Sequence, residues 1–118
     1  MREPYVLGHG EWLPENFRWR GEELYVAYDR DSLVLAPEAV LAGFAAADVA
    51  PSVEGPAAFH TAYEAAVERE FTPDERAAAW AAGRWARGWK AHREVAAGEP
   101  PRALTEDRAR RPAELAGV

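Results

Sequence analysis

A change in apolar periodicity close to Pro37 constrains the fold of this chain more than any other feature of its sequence. Before Pro37, apolar residues occur in short runs that are separated by turn-forming residues, which is typical of β-strands. After Pro37, they recur every three or four positions, which is the spacing of one face of an α-helix. The sequence therefore predicts an α+β fold, in which a small β-hairpin region packs on a mostly helical bundle.

Three strands are predicted before Pro37. Residues 5–7 form an apolar run that ends at Gly8-His9-Gly10, which predicts a buried strand that enters a tight loop. Residues 16–19 and 24–28 are rich in aromatic and apolar side chains, and the short segment between them contains Gly21. This spacing predicts a β-hairpin that turns near Gly21.

The helical part has one strong start signal and two apolar stripes. Pro37 suits the first turn of the first helix, and residues 40–47 and 59–67 carry apolar side chains at helical spacing. At Thr72, an N-cap hydroxyl is followed by a proline and, three residues after the cap, by Glu75, which is the pattern of a capping box. The segment after residue 98 is charged on all sides and contains Pro112, so we expect a weak or frayed helix there.

A chain of 118 residues is long enough for one domain with a single modest core. We therefore assign residues 1–118 to one domain. Residues 1–35 hold the loop and the hairpin, residues 36–98 hold the helices, and residues 99–118 are expected to be a weakly structured tail.

Charge and cysteine content exclude several functions. The chain has 14 basic and 20 acidic residues, a formal net charge of -6, which disfavours binding to nucleic acid. Arg84, Arg87, Arg93 and the basic residues of 108–111 are predicted to be solvated. The absence of cysteine excludes disulfides and zinc–thiolate sites. With no signal peptide or membrane-spanning run, we expect a cytoplasmic protein that does not bind membranes. Its richness in Ala, Arg and Gly suggests a bacterial source.

Four polar residues flank the predicted hairpin, and their positions predict that they converge. A hairpin returns its ends to the same edge, so Asn16 and Asp29 should be neighbours, with Glu11 and Asp31 close by. Carboxylate and amide oxygens of this kind suit a hard cation such as magnesium. Acidic residues at strand ends also act simply as solvated or capping groups, and the spacing alone does not decide between the two interpretations.

The segment from Gly8 to Asn16 resembles the catalytic loop of aminoglycoside phosphotransferases and choline-kinase-like enzymes, which reads His-Gly-Asp, four variable residues, then Asn. The segment Tyr28-Asp29-Arg30-Asp31-Ser32 is similar to the acidic segment that ends the hairpin in that family. The resemblance spans roughly residues 5–96, and only these two segments of it are specific. It implies the fold of a kinase-like C-terminal lobe.

The resemblance also implies roles for individual residues. Glu11 stands at the position of the catalytic base, and Asn16 and Asp29 match the positions that bind magnesium together with ATP. His9 matches a histidine that is chiefly structural, and Asp31 matches an acidic position of variable role. The implied reaction is ATP-dependent phosphoryl transfer to the hydroxyl of a small molecule. Family members act on aminoglycosides, choline, other amino alcohols and sugars.

Two departures from the family pattern lead to an alternative function. The expected aspartate is replaced by Glu11, whose extra methylene displaces the carboxylate, and the ATP-holding N-terminal lobe has no counterpart in this sequence. We therefore expect weak or absent activity in the isolated lobe, and an exposed apolar patch near the hairpin. The alternative is a non-catalytic binding or regulatory module that forms a homodimer or binds a protein partner through this interface. A metal-dependent hydrolase that uses Glu11, Asp29 and Asp31 is a third hypothesis.

The histidines have two interpretations each. His9 could take part in acid–base catalysis, because an unperturbed imidazole titrates near neutral pH, but anchoring of the loop by a hydrogen bond is the favoured role. His60 and His92 are expected at a surface or an interface, since their spacing matches no zinc motif.

The tryptophans are likewise open to two interpretations. Trp85 and Trp89 lie one helical turn apart and are predicted to pack in the core, with a stacking surface for a ring-bearing substrate as the alternative. Trp80 points elsewhere on the same helix and is less clearly a core residue. Trp12 and Trp19 flank the loop and are therefore the better candidates for substrate contact.

Overall fold

The computed structural model describes residues 5–49 and 53–117, and the first third of this part contains four short strands. β1 (Tyr5–His9) pairs antiparallel with β4 (Leu33–Pro37), and β2 (Phe17–Arg20) pairs antiparallel with β3 (Glu23–Ala27). The second pair is the predicted hairpin. Its turn contains Gly21 at φ 61°, a left-handed conformation that glycine adopts without steric cost.

The sheet formed by β1 and β4 corrects two predictions. Residues 33–37 form a strand that the periodicity did not reveal, because its apolar run continues directly into the first helix. Pro37 therefore ends a strand, and the helix begins one residue later. β1 is predicted to be buried, but its Tyr5 and Leu7 are 66% and 70% exposed. The reason is that the first helix contacts this two-stranded sheet on one face only, where Gly8 lies against Leu41.

Helices make up most of the remaining described residues: α1 (Glu38–Val49), α2 (Glu54–Ala66), α3 (Pro73–Ala96) and α4 (Glu106–Ala116). The α+β class is therefore confirmed. Among the described helices, none combines the length and the apolar character that a bilayer crossing requires.

The core lies where α1 crosses α3, and small side chains dominate it. Its fully packed residues are Ala39, Ala42, Phe71 and Ala79, with Tyr63 beside them. At the crossing, a Cβ added to Gly83 of α3 would lie 3.1 Å from the carbonyl oxygen of Gly43 in α1. Alanine and glycine at this crossing thus permit the two backbones to approach closely.

The capping box at the start of α3 is confirmed, and it belongs to a larger ionic network. The Thr72 hydroxyl accepts from the Glu75 backbone N–H at 3.2 Å, and the Glu75 carboxylate accepts from the Thr72 N–H at 2.8 Å. Arg69 donates to Glu75 at 3.0 Å and to Glu38, at the start of α1, at 2.6 Å. Glu75 is only 4% exposed, whereas the Arg69 side chain is 37% exposed, so this network is partly buried and joins the first turns of α1 and α3.

The tail forms a regular helix where the sequence predicts weak structure. α4 spans 11 residues, contains Pro112 and ends at Gly117 in the left-handed conformation. It packs against α3 and buries Ala116 to 9% exposure. Tertiary contact with α3 therefore supplies the stability that the local sequence lacks.

His60 is buried rather than at the surface. It is 6% exposed and meets the ring edge of Trp80 from α3, with ring centroids 4.9 Å apart. Burial lowers the pKa of His60, and the nearby Arg76 lowers it further, against an opposing effect of Glu64. The neutral imidazole is therefore the form that fits the folded protein.

This burial predicts a pH dependence of stability. The pKa of His60 is about 6.5 in the unfolded chain and lower in the folded protein. The contribution of the neutral His60 to stability is therefore complete above about pH 6.5. It is lost as the pH falls through the folded pKa, with a slope of at most about 1.4 kcal/mol per pH unit. Urea unfolding of wild type and His60→Gln between pH 8 and 5 tests this. An equal slope in the two proteins would contradict it.

Candidate functional site

The loops between the strands bring together most of the predicted site residues. Residues 10–16 connect β1 to β2, and residues 28–32 connect β3 to β4. A backbone hydrogen bond from Gly10 N–H to the Ser32 carbonyl oxygen, 2.8 Å long, joins the two loops. A second bond, 2.6 Å long, runs from Tyr28 N–H to the carbonyl oxygen of Asn16. The two loops are therefore hydrogen-bonded to each other at two points.

His9 has the anchoring geometry that the sequence favoured. Its Nδ1 accepts from the Glu11 backbone N–H at 3.1 Å, and because Nδ1 accepts, Nε2 must carry the proton. Nε2 then donates to the Tyr28 carbonyl oxygen at 2.8 Å. Both ring nitrogens are thus engaged by the two loops.

Glu11 and Asp29 approach the same hydroxyl group. Ser32 Oγ lies 2.8 Å from Asp29 Oδ2 and 3.4 Å from Glu11 Oε2. A hydroxyl donates one hydrogen, so the shorter contact to Asp29 is the stronger bond. The two carboxylates are therefore neighbours across Ser32, and both are open to solvent.

Asn16 is hydrogen-bonded to Glu11 through its side chain and to Tyr28 through its backbone. Its Nδ2 donates to the Glu11 carbonyl oxygen at 3.1 Å, which fixes the orientation of the side-chain amide. Within the described residues, neither Asn16 Oδ1 nor Asp29 Oδ1 accepts a hydrogen bond. These two oxygens are available to a cation.

Asp29 has a strained backbone. Its φ of 61° and ψ of 68° lie in the left-handed region, which costs a non-glycine residue about 1 kcal/mol or more. Such strain persists when the surrounding structure enforces it, and it is concentrated at functional sites. Here the turn Arg30–Ser32 follows Asp29 directly, and the Ser32 hydroxyl donates a hydrogen bond to the Asp29 carboxylate.

Asp31 is placed differently from the other predicted residues. It is exposed in the turn Arg30–Ser32, and its carboxylate makes no hydrogen bond within the described part of the chain. Nor do any three His, Asp or Glu side chains among the described residues form a group that could hold a metal ion. The hypothesis of a hydrolase with three carboxylates around a metal therefore has no geometric support.

Asp48, which the sequence analysis missed, connects the loop to the helices. Its Oδ2 accepts from the Trp12 backbone N–H at 3.0 Å, and its Oδ1 pairs with Lys90 of α3. The Asp48 side chain is only 7% exposed, so water screens the pair weakly. Two sequence signals mark this pair: Asp48 is the lone aspartate in an alanine-rich helix, and Lys90 is the only lysine in the chain.

A change at Asp48 should therefore loosen the loop. Asp48→Asn keeps the size of the side chain but removes its charge, and we expect it to lower the free energy of unfolding by about 1–3 kcal/mol. It should also speed hydrogen exchange of the Trp12 amide. Glu22→Gln, at the exposed hairpin turn, is the matched control and should change neither quantity. Unchanged protection of Trp12 in Asp48→Asn would show that Asp48 does not hold the loop.

A cleft of about 230 Å³ separates the loop from α3. Its wall on the loop side includes Glu11, and its wall on the helix side includes Trp85, Trp89, Lys90 and Arg93. Trp12 and Trp19, which the sequence favoured for substrate contact, are not among its lining residues. Trp12 is instead stacked on Phe17, with ring centroids 4.6 Å apart.

The prediction that Trp85 and Trp89 are core residues is wrong. They are 62% and 52% exposed. The reason is that α1 packs on the side of α3 that carries Ala79, Ala82 and Gly83. The two helix backbones approach so closely there that indole rings would not fit between them. Trp80 is the tryptophan of α3 that packs inward, against His60.

No family model, no curated protein and no solved structure matches this chain. The kinase-like family assignment therefore remains a prediction from the two loop motifs.

Proposed function

We propose that this chain is an aminoglycoside-phosphotransferase-like lobe, whose reaction is the transfer of phosphate from ATP to the hydroxyl of a small molecule, with weak or absent activity in the isolated lobe. The observation that supports this most is the meeting of Glu11 and Asp29 at Ser32, with Asn16 bonded to the same loop. Asn16 and Asp29 lie 13 positions apart, in the two loops that backbone hydrogen bonds join.

Each residue has a distinct role in this proposal. Glu11 lines the cleft and accepts the proton of the substrate hydroxyl. The hydroxyl oxygen forms a bond to the γ-phosphorus, the bond from that phosphorus to the oxygen of the β-phosphate breaks, and ADP leaves. His9 positions Glu11 by accepting the hydrogen bond of its backbone N–H.

Asn16 and Asp29 would hold magnesium through the side-chain oxygens that accept no hydrogen bond in the described part of the chain. When bound, the ion neutralises charge on the phosphates of ATP. Oxygen donors of this type suit magnesium, which keeps several water ligands and takes only one or two carboxylates from a protein. Ser32 orients the Asp29 carboxylate for this role.

Calorimetric titration of the full chain with magnesium and ATP tests the proposal. We expect binding that requires magnesium, and a loss of affinity of at least about tenfold in Asp29→Ala. Glu22→Ala removes the same charge at the hairpin turn, away from the loops, and should leave the affinity unchanged. No binding at millimolar nucleotide, by a chain that circular dichroism shows to be folded, would overturn the proposal.

A second candidate function is supported by a separate observation. On the face of the β1–β4 sheet opposite α1, four large apolar side chains alternate along the two strands: Tyr5, Leu7, Leu33 and Leu35 are 46–70% exposed. Contiguous apolar surface of this kind is typical of protein interfaces. The alternative proposal is therefore a binding module that associates through this face, with a second copy or another protein.

Sedimentation velocity tests the homodimer form of this alternative. We expect self-association that weakens in Leu35→Lys, because a charge in the centre of an apolar interface is costly. Val49→Lys, at the exposed end of α1, is the matched control. A monomer at all concentrations would rule out the homodimer.

A further inference from the structure

α3 presents a row of aromatic rings to solvent. Trp85 and Trp89 have nearly parallel planes, 1° apart, with ring centroids separated by 6.2 Å. His92 continues the row, with its centroid 5.7 Å from Trp89. Single exposed apolar residues are common on proteins, but adjoining exposed indole rings form a patch, and patches of this kind mark binding sites.

This row borders the cleft that contains Glu11. Trp85 and Trp89 line one wall, together with Phe44 of α1, and the loop lines the other. Trp85 also contacts Phe44, at a centroid distance of 6.0 Å. The indole rings therefore lie in the same cleft as the Glu11 carboxylate, where their exposed faces can stack on a flat ring.

The cations of the cleft are not equivalent. Lys90 is paired with Asp48, whereas the Arg93 guanidinium makes no hydrogen bond or ion pair within the described residues. A guanidinium group presents a fork of donors that matches a carboxylate or phosphate oxygen pair. The cleft thus combines exposed indole rings, the Glu11 carboxylate at the loop, the Asp48–Lys90 pair and, in Arg93, a cation without a partner among the described residues.

We propose that this cleft binds a planar, ring-bearing alcohol that also carries an anionic group. The ring stacks on Trp85 and Trp89, the anionic group pairs with Arg93, and the hydroxyl lies at Glu11. The role of the hydroxyl as phosphate acceptor rests on the proposed function. The recognition of the ring and of the anion depends only on α3. A volume of about 230 Å³ suits a ligand with one or two small rings.

Three probes separate these contributions. The complete probe is para-(hydroxymethyl)benzoate, which has a flat ring, an anion and a hydroxyl. The corresponding cyclohexane carboxylate lacks the flat ring, and para-methylbenzyl alcohol lacks the anion. Binding is measured on the full chain without nucleotide, by the NMR shifts of the indole N–H signals, which Trp85→Phe and Trp89→Phe assign.

We expect the complete probe to shift the signals of Trp85 and Trp89 and to bind about tenfold more tightly than either comparator. Trp89→Ala should weaken it about tenfold, and because this residue is exposed, the fold should persist in the variant, which circular dichroism checks. Arg93→Gln should weaken the two anionic probes and leave the neutral alcohol unchanged. Arg110→Gln, on α4, is the matched control.

Equal affinity for the flat and the non-planar probe would overturn the proposal, as would shifts confined to the other indole signals. Because no nucleotide is present, the result is independent of the titration with magnesium and ATP. If the probe binds and the nucleotide does not, the proposed ring and anion sites stand and the proposed phosphoryl transfer is overturned. If the nucleotide binds and the probe does not, the proposed phosphoryl transfer stands and this class of substrate is excluded.

Discussion

Replacement of Gly43 by alanine is expected to destabilise the fold more than the same replacement at Gly8, Gly83 or Gly88. A Cβ at position 43 would overlap the carbonyl oxygen of Ala79 and lie 2.9 Å from its Cα. Both are backbone atoms, so a side-chain rotation cannot relieve the clash. α1 and α3 would have to separate, which opens the core between them.

The expected loss in free energy of unfolding for Gly43→Ala is about 3 kcal/mol or more. This exceeds the gain of up to about 1 kcal/mol from the higher helix propensity of alanine. Urea unfolding followed by circular dichroism measures the difference. Gly88→Ala on α3 is the matched control, because its added Cβ would meet only Leu104 Cδ2 at 3.7 Å, an ordinary contact. We expect Gly88→Ala to stabilise the protein by about 0.5–1 kcal/mol.

Equal effects of the two substitutions would contradict the close crossing of α1 and α3. Gly83→Ala provides an intermediate case, since its Cβ would lie 3.1 Å from the Gly43 carbonyl oxygen. The order of stabilities should therefore be Gly88→Ala, then Gly83→Ala, then Gly43→Ala.

The second large effect is expected at Glu75, whose carboxylate serves both the capping box and the ion pair with Arg69. Glu75→Ala removes the acceptor of the Thr72 N–H and one of the two carboxylates around Arg69. Loss of a cap and of a charged hydrogen bond in a buried position should lower the free energy of unfolding by about 2–3 kcal/mol. Thermal and urea unfolding measure this change.

Glu75→Gln separates the two roles, because its amide oxygen can still accept from the Thr72 N–H while the charge is lost. We expect it to retain part of the lost stability. A decrease below about 0.5 kcal/mol in Glu75→Ala, as for an ordinary surface substitution, would show that the network contributes little.

The effect of Glu75 should also depend on pH. The Thr72 backbone N–H and then Arg69 hold the pKa of Glu75 below its usual value. A carboxyl whose folded pKa is lowered contributes stability above its unfolded pKa of about 4.3, and loses it as the pH falls through the folded pKa. The difference between wild type and Glu75→Ala should therefore shrink in acid.

Comparison of particular elements shows where sequence reasoning succeeded. The hairpin around Gly21 and the capping box of Thr72 and Glu75 were predictable, because each depends on residues within a few positions of one another. The approach of Asn16 to the end of β3 followed from the hairpin itself. The candidate site could be predicted to this extent because strand pairing alone brings its loops together.

Other parts of the site could not be predicted. β4 pairs with β1 across the entire hairpin, and the pairing of Asp48 with Lys90 joins residues 42 positions apart. Such contacts join residues that are far apart in the sequence, so no local pattern specifies them. Ser32, which lies between the two carboxylates, has no signal of its own beyond its place in the acidic segment.

The sequence by itself determined the hairpin, the capping box, the spacing of the loop residues and the α+β class, because hydrogen bonding and periodicity act over short distances along the chain. Only the tertiary structure decided which face of α3 is buried. Trp85 and Trp89 have the spacing of core residues. Because α1 and α3 cross closely at Gly43 and Ala79, however, the side of α3 that is buried is the one with small residues. Backbone contact stabilises that face through tight packing, and the indole rings are left at the surface of the cleft.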